Sequence, residues 1–170
     1  MPTPIGHALG GLVVGLVLPD RPPRKHVNPL TGRLAVYAVA ACLPDVDFLW
    51  GRHNMETHSV GFALVVGLVV FAWTRSLGVS LASMLAVGTH VLFDWLGSDD
   101  FPPLGVMALW PFRSDFLFAN AYVFATISRR YWLPGFVEHN VLAVLREIAI
   151  LLPLAALAWF ARHRSVRRRQ

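Results

Sequence analysis

The chain has 170 residues, 55% of them hydrophobic and 15% charged, with a mean hydropathy of +0.53. That is too apolar for an ordinary soluble domain, and the length suits one domain over residues 1–170. The single cysteine, Cys42, excludes an internal disulfide framework and a cysteine-rich zinc site. The net charge of +5 is clustered: Arg21, Arg24, Lys25 and Arg33 in one stretch, and Arg162, Arg164, Arg167, Arg168 and Arg169 at the C-terminus. Each cluster flanks an apolar segment, so both read as cytoplasmic anchors rather than as a nucleic-acid patch. The N-terminus has no basic n-region and no small-residue cleavage site, so no signal peptide is expected.

The first apolar stretch is Ile5 to Leu18, short of the roughly 20 residues a full span needs. Gly6, Gly10, Gly11 and Gly15 form small-xxx-small pairs that let another helix approach closely. A polar linker with Pro19, Pro22 and Pro23 follows. The second stretch runs from Leu34 to Trp50 and is interrupted at Pro44-Asp45-Val46-Asp47. Proline has no backbone donor, so a helix is expected to break or kink there. Within a membrane such a break must be buried in protein or line a wet cavity.

A polar connection with Arg52, His53, Asn54 and Glu56 leads to a third stretch, Val60 to Thr74, and a fourth, Leu77 to Leu96. These two read as a helical hairpin turning at Arg75-Ser76-Leu77-Gly78. Residues 98–140 differ in kind, with Pro102, Pro103, Pro111 and Pro134 among many aromatics. Aromatics favour the headgroup level, so this reads as an interfacial, extracytoplasmic segment that lids the site, with an interfacial helix expected over Phe116 to Tyr131. The last stretch is Ala143 to Ala161, before the basic tail of residues 162–170. Arg146 and Glu147 near its start are expected to pair, or Arg146 to meet a substrate phosphate. The fold class is therefore an all-α integral membrane bundle of four to five hydrophobic helices with an interfacial aromatic segment.

Placing both basic clusters inside fixes the path. The second stretch runs outward, the third returns to Arg75, the fourth runs outward, and the last brings the tail back. His7 then opens the first stretch at the outer end, and Asp45 and Asp47 end the second there. His53 and His58 lie in the outer connection, and His90 and Asp94 in the last turns of the fourth stretch. The orientation comes from the basic residues alone, yet all seven groups converge on one face.

Ionisable groups in membrane segments are expensive and mark function by default. His90-xxx-Asp94 puts imidazole and carboxylate on one helical face. Asp45 and Asp47 would repel and protonate in a low dielectric unless a cation held them. Singly, each residue also has a structural reading, such as a helix cap or a buried pair. Together they read as metal ligands: His7, Asp45, Asp47, His53, His58, His90 and Asp94. A mixed imidazole and carboxylate set suits a divalent transition metal, zinc first and manganese or iron next. Seven ligands are too many for one tetrahedral ion, so one or two ions are expected. Such sites activate water and clamp an oxyanion, which suits phosphoester hydrolysis.

The sequence resembles the YdjM-like family of small bacterial inner-membrane proteins, described as LexA-regulated, membrane-bound metal-dependent hydrolases. The resemblance lies in Pro4-Ile5-Gly6-His7-Ala8-Leu9-Gly10, Leu43-Pro44-Asp45-Val46-Asp47, His53 with Thr57-His58-Ser59, His90-xxx-Asp94 and Trp110-Pro111-Phe112. The family pattern has His-Arg-Gly before Thr-His-Ser; here the run is His53-Asn54-Met55-Glu56, with Arg52 the neighbouring positive charge. The resemblance implies a hydrolase. The expected reaction is metal-assisted attack of water on an ester or phosphoester of a lipid-like substrate. Asp47 or Glu56 would act as general base, and Arg113 would meet an anionic head group. The expected partners are the bilayer and that substrate, with no nucleic acid. The expected location is the bacterial inner membrane, with several passes, a cytoplasmic C-terminus and the site near the periplasmic face. A divalent-metal transporter without catalysis is the alternative, and a structural role for the polar cluster a third.

Overall fold

The computed structural model describes residues 1–18, 29–50, 53–100 and 102–167, without the side chains of residues 29–31 and 165–167. Arg21, Arg24, Lys25, Arg52, Phe101, Arg168 and Arg169, on which part of the sequence reading rests, lie outside the described residues. The described chain is all-helical: α1 (Pro4–Val17), α2 (Pro29–Cys42), a 3-10 helix (Leu43–Trp50), α3 (Val60–Thr74), α4 (Leu77–Leu96) and α5 (Phe136–Arg167).

Thr3 starts α1 as its N-cap, accepting from Gly6 N, with Pro4 in the first turn where a missing N–H costs nothing. The glycines of α1 make it the hub of the bundle. A Cβ on Gly11 or Gly15 would strike Tyr37 of α2, one on Gly10 would strike Phe93 of α4, and one on Gly6 would strike Glu147 of α5. Three helices thus approach α1 at distances that only glycine permits. α4 packs on α1, α2 and α3, so the buried core lies along Tyr37, Ala40, Ala41, Ala82, Ala86 and Val87.

α2 ends at Cys42, and the chain continues through Pro44 as a 3-10 helix. The predicted break is therefore a change of helical type, with Pro44 and Asp47 buried. α3 begins with three satisfied donors. Ser59 Oγ accepts from Phe62 N at 3.0 Å, Ala108 O from Val60 N at 2.9 Å, and Trp110 O from Gly61 N at 3.1 Å. The segment 108–110 thereby caps α3 and fixes the Thr57-His58-Ser59 run in front of it. α3 stops at Arg75, a left-handed C-cap at φ 54°, and Ser76 caps α4 directly. The turn is thus shorter than expected, because Leu77 and Gly78 already belong to α4.

The expected interfacial helix over Phe116 to Tyr131 is not formed. That segment is irregular, with Asn120 and Tyr122 at positive φ. Its backbone pairs with other elements instead of with itself. Leu117 N donates to Val106 O, Ala119 N to Trp95 O and Val123 N to Leu96 O. The aromatic segment is therefore sewn onto the C-terminal end of α4, with Phe124 buried against Phe93. α5 starts seven residues before the apolar run at Ala143, since Glu138, His139 and Asn140 interrupt hydrophobicity without preventing helix.

Two helices are long and apolar enough to cross a membrane: Leu77–Leu96 and Phe136–Arg164. Pro4–Val17 and Val60–Thr74 are apolar but shorter. α5 exposes Leu152, Leu154, Leu157 and Phe160, an apolar face too large to be stable in water.

Candidate metal centre

One end of the bundle gathers the start of α1, the 3-10 helix, the run before α3 and the end of α4. His7, Asp47, His58, His90 and Asp94 are buried there, and Asp45 is half-buried. His58 Nε2 stands 3.7 Å from Asp45 Oδ1 and 3.5 Å from Asp94 Oδ2. His90 Nε2 stands 3.6 Å from Asp45 Oδ1 and 3.0 Å from Asp94 Oδ2. Bond lengths of about 2.0–2.1 Å in a tetrahedral zinc site imply ligand-to-ligand edges of about 3.3–3.4 Å. The four edges measured bracket that value.

The orphaned atoms test whether these residues fit an ion. His58 Nε2, His90 Nε2 and both carboxylate oxygens of Asp94 are buried with no hydrogen-bond partner among the described residues. Leaving such groups unsatisfied costs about 1–3 kcal/mol each, more when charged. A cation between them would satisfy them together, so the cluster can hold a metal ion.

The far sides of the two imidazoles are also arranged. His90 Nδ1 lies 2.7 Å from Ala41 O, which accepts only if that nitrogen carries the proton. His58 Nδ1 lies 3.2 Å from Asp47 Oδ2. Both rings are then in the tautomer that leaves Nε2 as a lone-pair donor toward the centre. Burial opposes charge on His58, but the neighbouring carboxylates of Asp45, Asp47 and Asp94 outweigh it and lift its pKa to about 9. A metal at Nε2 must therefore displace a proton at neutral pH.

The sequence-predicted residues separate into layers. His58, His90 and Asp94 form one group of possible ligands, and Asp45 Oδ1 lies within 3.7 Å of both imidazole Nε2 atoms. Asp47 stands behind them. Its Oδ1 is 2.9 Å from His53 Nδ1, and its Oδ2 accepts from Thr57 Oγ1 at 3.0 Å and faces His58 Nδ1. Asp47 thus orients two imidazoles. His53 stacks on Phe48 and belongs with Asp45 and His58 to a second group of possible ligands. His7 lies flat on His90, ring centroids 3.6 Å apart, with Nε2 3.4 Å from Asp94 Oδ1. It forms a third group with Asp45 and His90.

A cavity of about 450 Å³ opens beside the centre, lined by His7, Asp45, His53 and Asp94. Thr126, Ile127, Arg129, Arg130 and Trp132 line it as well. Glu56 does not line the cavity; its backbone carbonyl accepts from Ser59 Oγ. Arg113 does not line it either. That side chain is exposed and bound to Asp115 at 2.8 Å. Asn54, which departs from the family pattern, sits at φ 68°, where asparagine is tolerated, and its carbonyl accepts from Met107 N.

The sequence reading missed the role of Glu147. It does not pair with Arg146, which donates to Tyr122 O. Instead Glu147 is buried and accepts from Thr3 N at 2.8 Å and Thr3 Oγ1 at 2.6 Å, tying α5 to the start of α1 beside His7. No sequence spacing signals a contact between residues 144 positions apart. Arg129 and Arg130 were missed as well, because they lay within the expected interfacial helix.

No curated protein and no solved structure matches this chain significantly. The family model of the YdjM inner membrane protein family does match it, over residues 1–166, and the chain belongs to that family.

Proposed function

We propose that the protein is a metal-dependent hydrolase of the bacterial inner membrane, cleaving an ester or phosphoester bond of a lipid-like substrate. The observation that carries this reading is the set of orphaned donors beside an open cavity, His58 Nε2, His90 Nε2 and the Asp94 carboxylate. A purely structural polar cluster would satisfy its own hydrogen bonds. In this reading Asp45, His58, His90 and Asp94 hold a divalent ion, zinc first by its preference for mixed imidazole and carboxylate donors. When bound, such an ion supplies Lewis acidity and makes water acidic enough to react near neutral pH. Asp47 keeps the Nδ1 proton on His58, and Ala41 O keeps it on His90. His53 also presents Nδ1 to Asp47, which leaves its Nε2 free to take a proton at the cavity wall. His7 adds a donor on the other side of Asp94 for a second ion.

The topology belongs to the same proposal. α1, α2 with its 3-10 extension, α3, α4 and α5 make five passes, with the basic linker and tail cytoplasmic and the centre near the periplasmic face. Arg162 supports it by donating to Gly15 O and Leu16 O at the far end of α1, opposite the centre. That arrangement disfavours a transporter. In the inner half of the described bundle the fully buried polar residues are the neutral Ser80 and Ser83, Arg33 adds a buried Nε, and no buried carboxylate or imidazole stands at that level among the described residues. A conducting path needs polar groups at both levels. The test is a hydrolysis screen of metal-loaded protein against phospholipids and polyprenyl or glycerol phosphoesters. Turnover that chelation abolishes and zinc restores is expected. No turnover on any of them, together with ion flux into liposomes, would replace this reading by transport.

A further inference from the structure

Two arginines line the cavity beside the metal centre. These are Arg129 and Arg130, and among the described residues neither has a carboxylate within ion-pair distance. The Arg129 guanidinium lies instead over the ring of Phe48, 4.8 Å from its centroid. Stacking of this kind orients the fork while leaving its N–H groups to a ligand. The other ionisable residues lining the cavity are Met1, whose amino group donates to Ser98 O, and His7, Asp45, His53, Asp94, Asp99 and Asp100. Asp99 accepts from Asn54 Nδ2 at 3.3 Å and Gly105 N at 3.4 Å, so it serves the loop. Asp45 and Asp94 turn toward the centre. Arg129 and Arg130 are the guanidinium groups among the lining residues.

The mouth is greasy on both sides. Phe48, Leu49 and Trp50 are 49%, 82% and 55% exposed, and Tyr131, Trp132 and Leu133 are 75%, 66% and 46% exposed. These two triplets directly adjoin the arginines and the cavity, as a headgroup-level belt would. A volume of about 450 Å³ holds a phosphate head and its ester linkage, not acyl chains as well. We propose that Arg129 and Arg130 seat the phosphate of an acyl-chain phosphate ester, with the chain leaving between the two aromatic triplets. This inference rests on the hydrolase reading above and names its substrate class.

The test is binding, measured apart from turnover. Full-length, zinc-loaded protein in phosphatidylcholine nanodiscs is titrated with octylphosphonate, whose carbon–phosphorus bond does not hydrolyse. Octanol and inorganic phosphate serve as comparison ligands. Octylphosphonate should bind at least about tenfold more tightly than either one. Combining Arg129→Gln with Arg130→Gln should weaken it at least about tenfold, each single change by less, at unchanged zinc content and melting temperature. Arg113→Ala should leave binding unchanged. Binding by the double variant equal to wild type would overturn the proposal, and inorganic phosphate binding as tightly as octylphosphonate would overturn the lipid source. Arginine-dependent binding without hydrolysis of any ester would sink the hydrolase reading and leave the phosphate seat standing.

Discussion

The two ends of this bundle are built from the same helices and solve opposite problems. At the Arg75 end the helix termini are capped, and Ser83 Oγ is a lone buried hydroxyl without a hydrogen-bond partner among the described residues rather than part of a cluster. Arg75 and Ser76 cap α3 and α4, and Arg162 takes the last carbonyls of α1. At the other end the helices stop early, one changes to 3-10 geometry, and five buried atoms of His7, His58, His90 and Asp94 have no hydrogen-bond partner among the described residues. A membrane bundle tolerates such unsatisfied polarity only where something else completes it. The difference therefore separates the part that holds the fold from the part that can hold an ion.

The sharpest way to break that comparison is to remove a converging ligand. Asp94→Ala or His90→Ala should abolish stoichiometric metal and lower hydrolysis by about a thousandfold or more, beyond the 10–100-fold typical of outer partners. Elemental analysis of the purified variants checks it. If both retain wild-type metal, the ion lies elsewhere.

Asp47→Asn tests the layer behind. It leaves the four converging donors in place but loosens His53 and His58. Metal should still bind at saturating concentration, with affinity or activity down by about 10–100-fold. Loss as complete as in Asp94→Ala would make Asp47 a ligand and not a support.

The pH dependence follows from His58. Its folded pKa of about 9 lies above the ordinary 6.5. In metal-free protein its charge stabilises the fold fully below about pH 6.5, and that contribution is lost as pH rises through about 9. A metal competes with the same proton, so zinc affinity should fall about tenfold for each unit below pH 9. Thermal unfolding with and without zinc, from about pH 6.5 to 9.5, should show the metal's stabilising increment growing with pH. An increment flat across that range would exclude a protonated His58 in the metal-free protein.

The smallest effect is expected at the other end. Arg75 occupies a left-handed position at φ 54°. Arg75→Gly should raise stability by about 0.5–1 kcal/mol and leave metal content unchanged. Metal loss in that variant would mean the two ends are coupled.

Much of this was legible in the sequence because apolar runs are punctuated. Ser59, Arg75 and Ser76 bracket α3 and α4, and both helices run between the residues where hydropathy changes. Pro44 marked the end of α2 because it has no N–H to give. The convergence of His7, Asp45, His58, His90 and Asp94 was expected from an alternating path of the apolar stretches. What stayed hidden depends on rotation and long-range contact. In a 3-10 helix successive residues turn about 120°, so Asp45 and Asp47 face different directions, which spacing alone does not assign to centre or support. Aromatic density over residues 116–131 suggested a helix, but strand-like pairing to the end of α4 took its backbone donors. Arg113 was expected at a head group from its place after Trp110-Pro111-Phe112, and its pairing with Asp115 shows only in the folded loop.

The central claim is that Asp45, His58, His90 and Asp94 surround one transition-metal ion. X-ray absorption at the zinc edge of the purified, zinc-loaded protein tests it most directly. Two imidazole nitrogens and two carboxylate oxygens at about 2.0–2.2 Å are predicted, with the imidazole signature halved in His58→Ala. A spectrum without imidazole scattering, or one unchanged in His58→Ala, would contradict it.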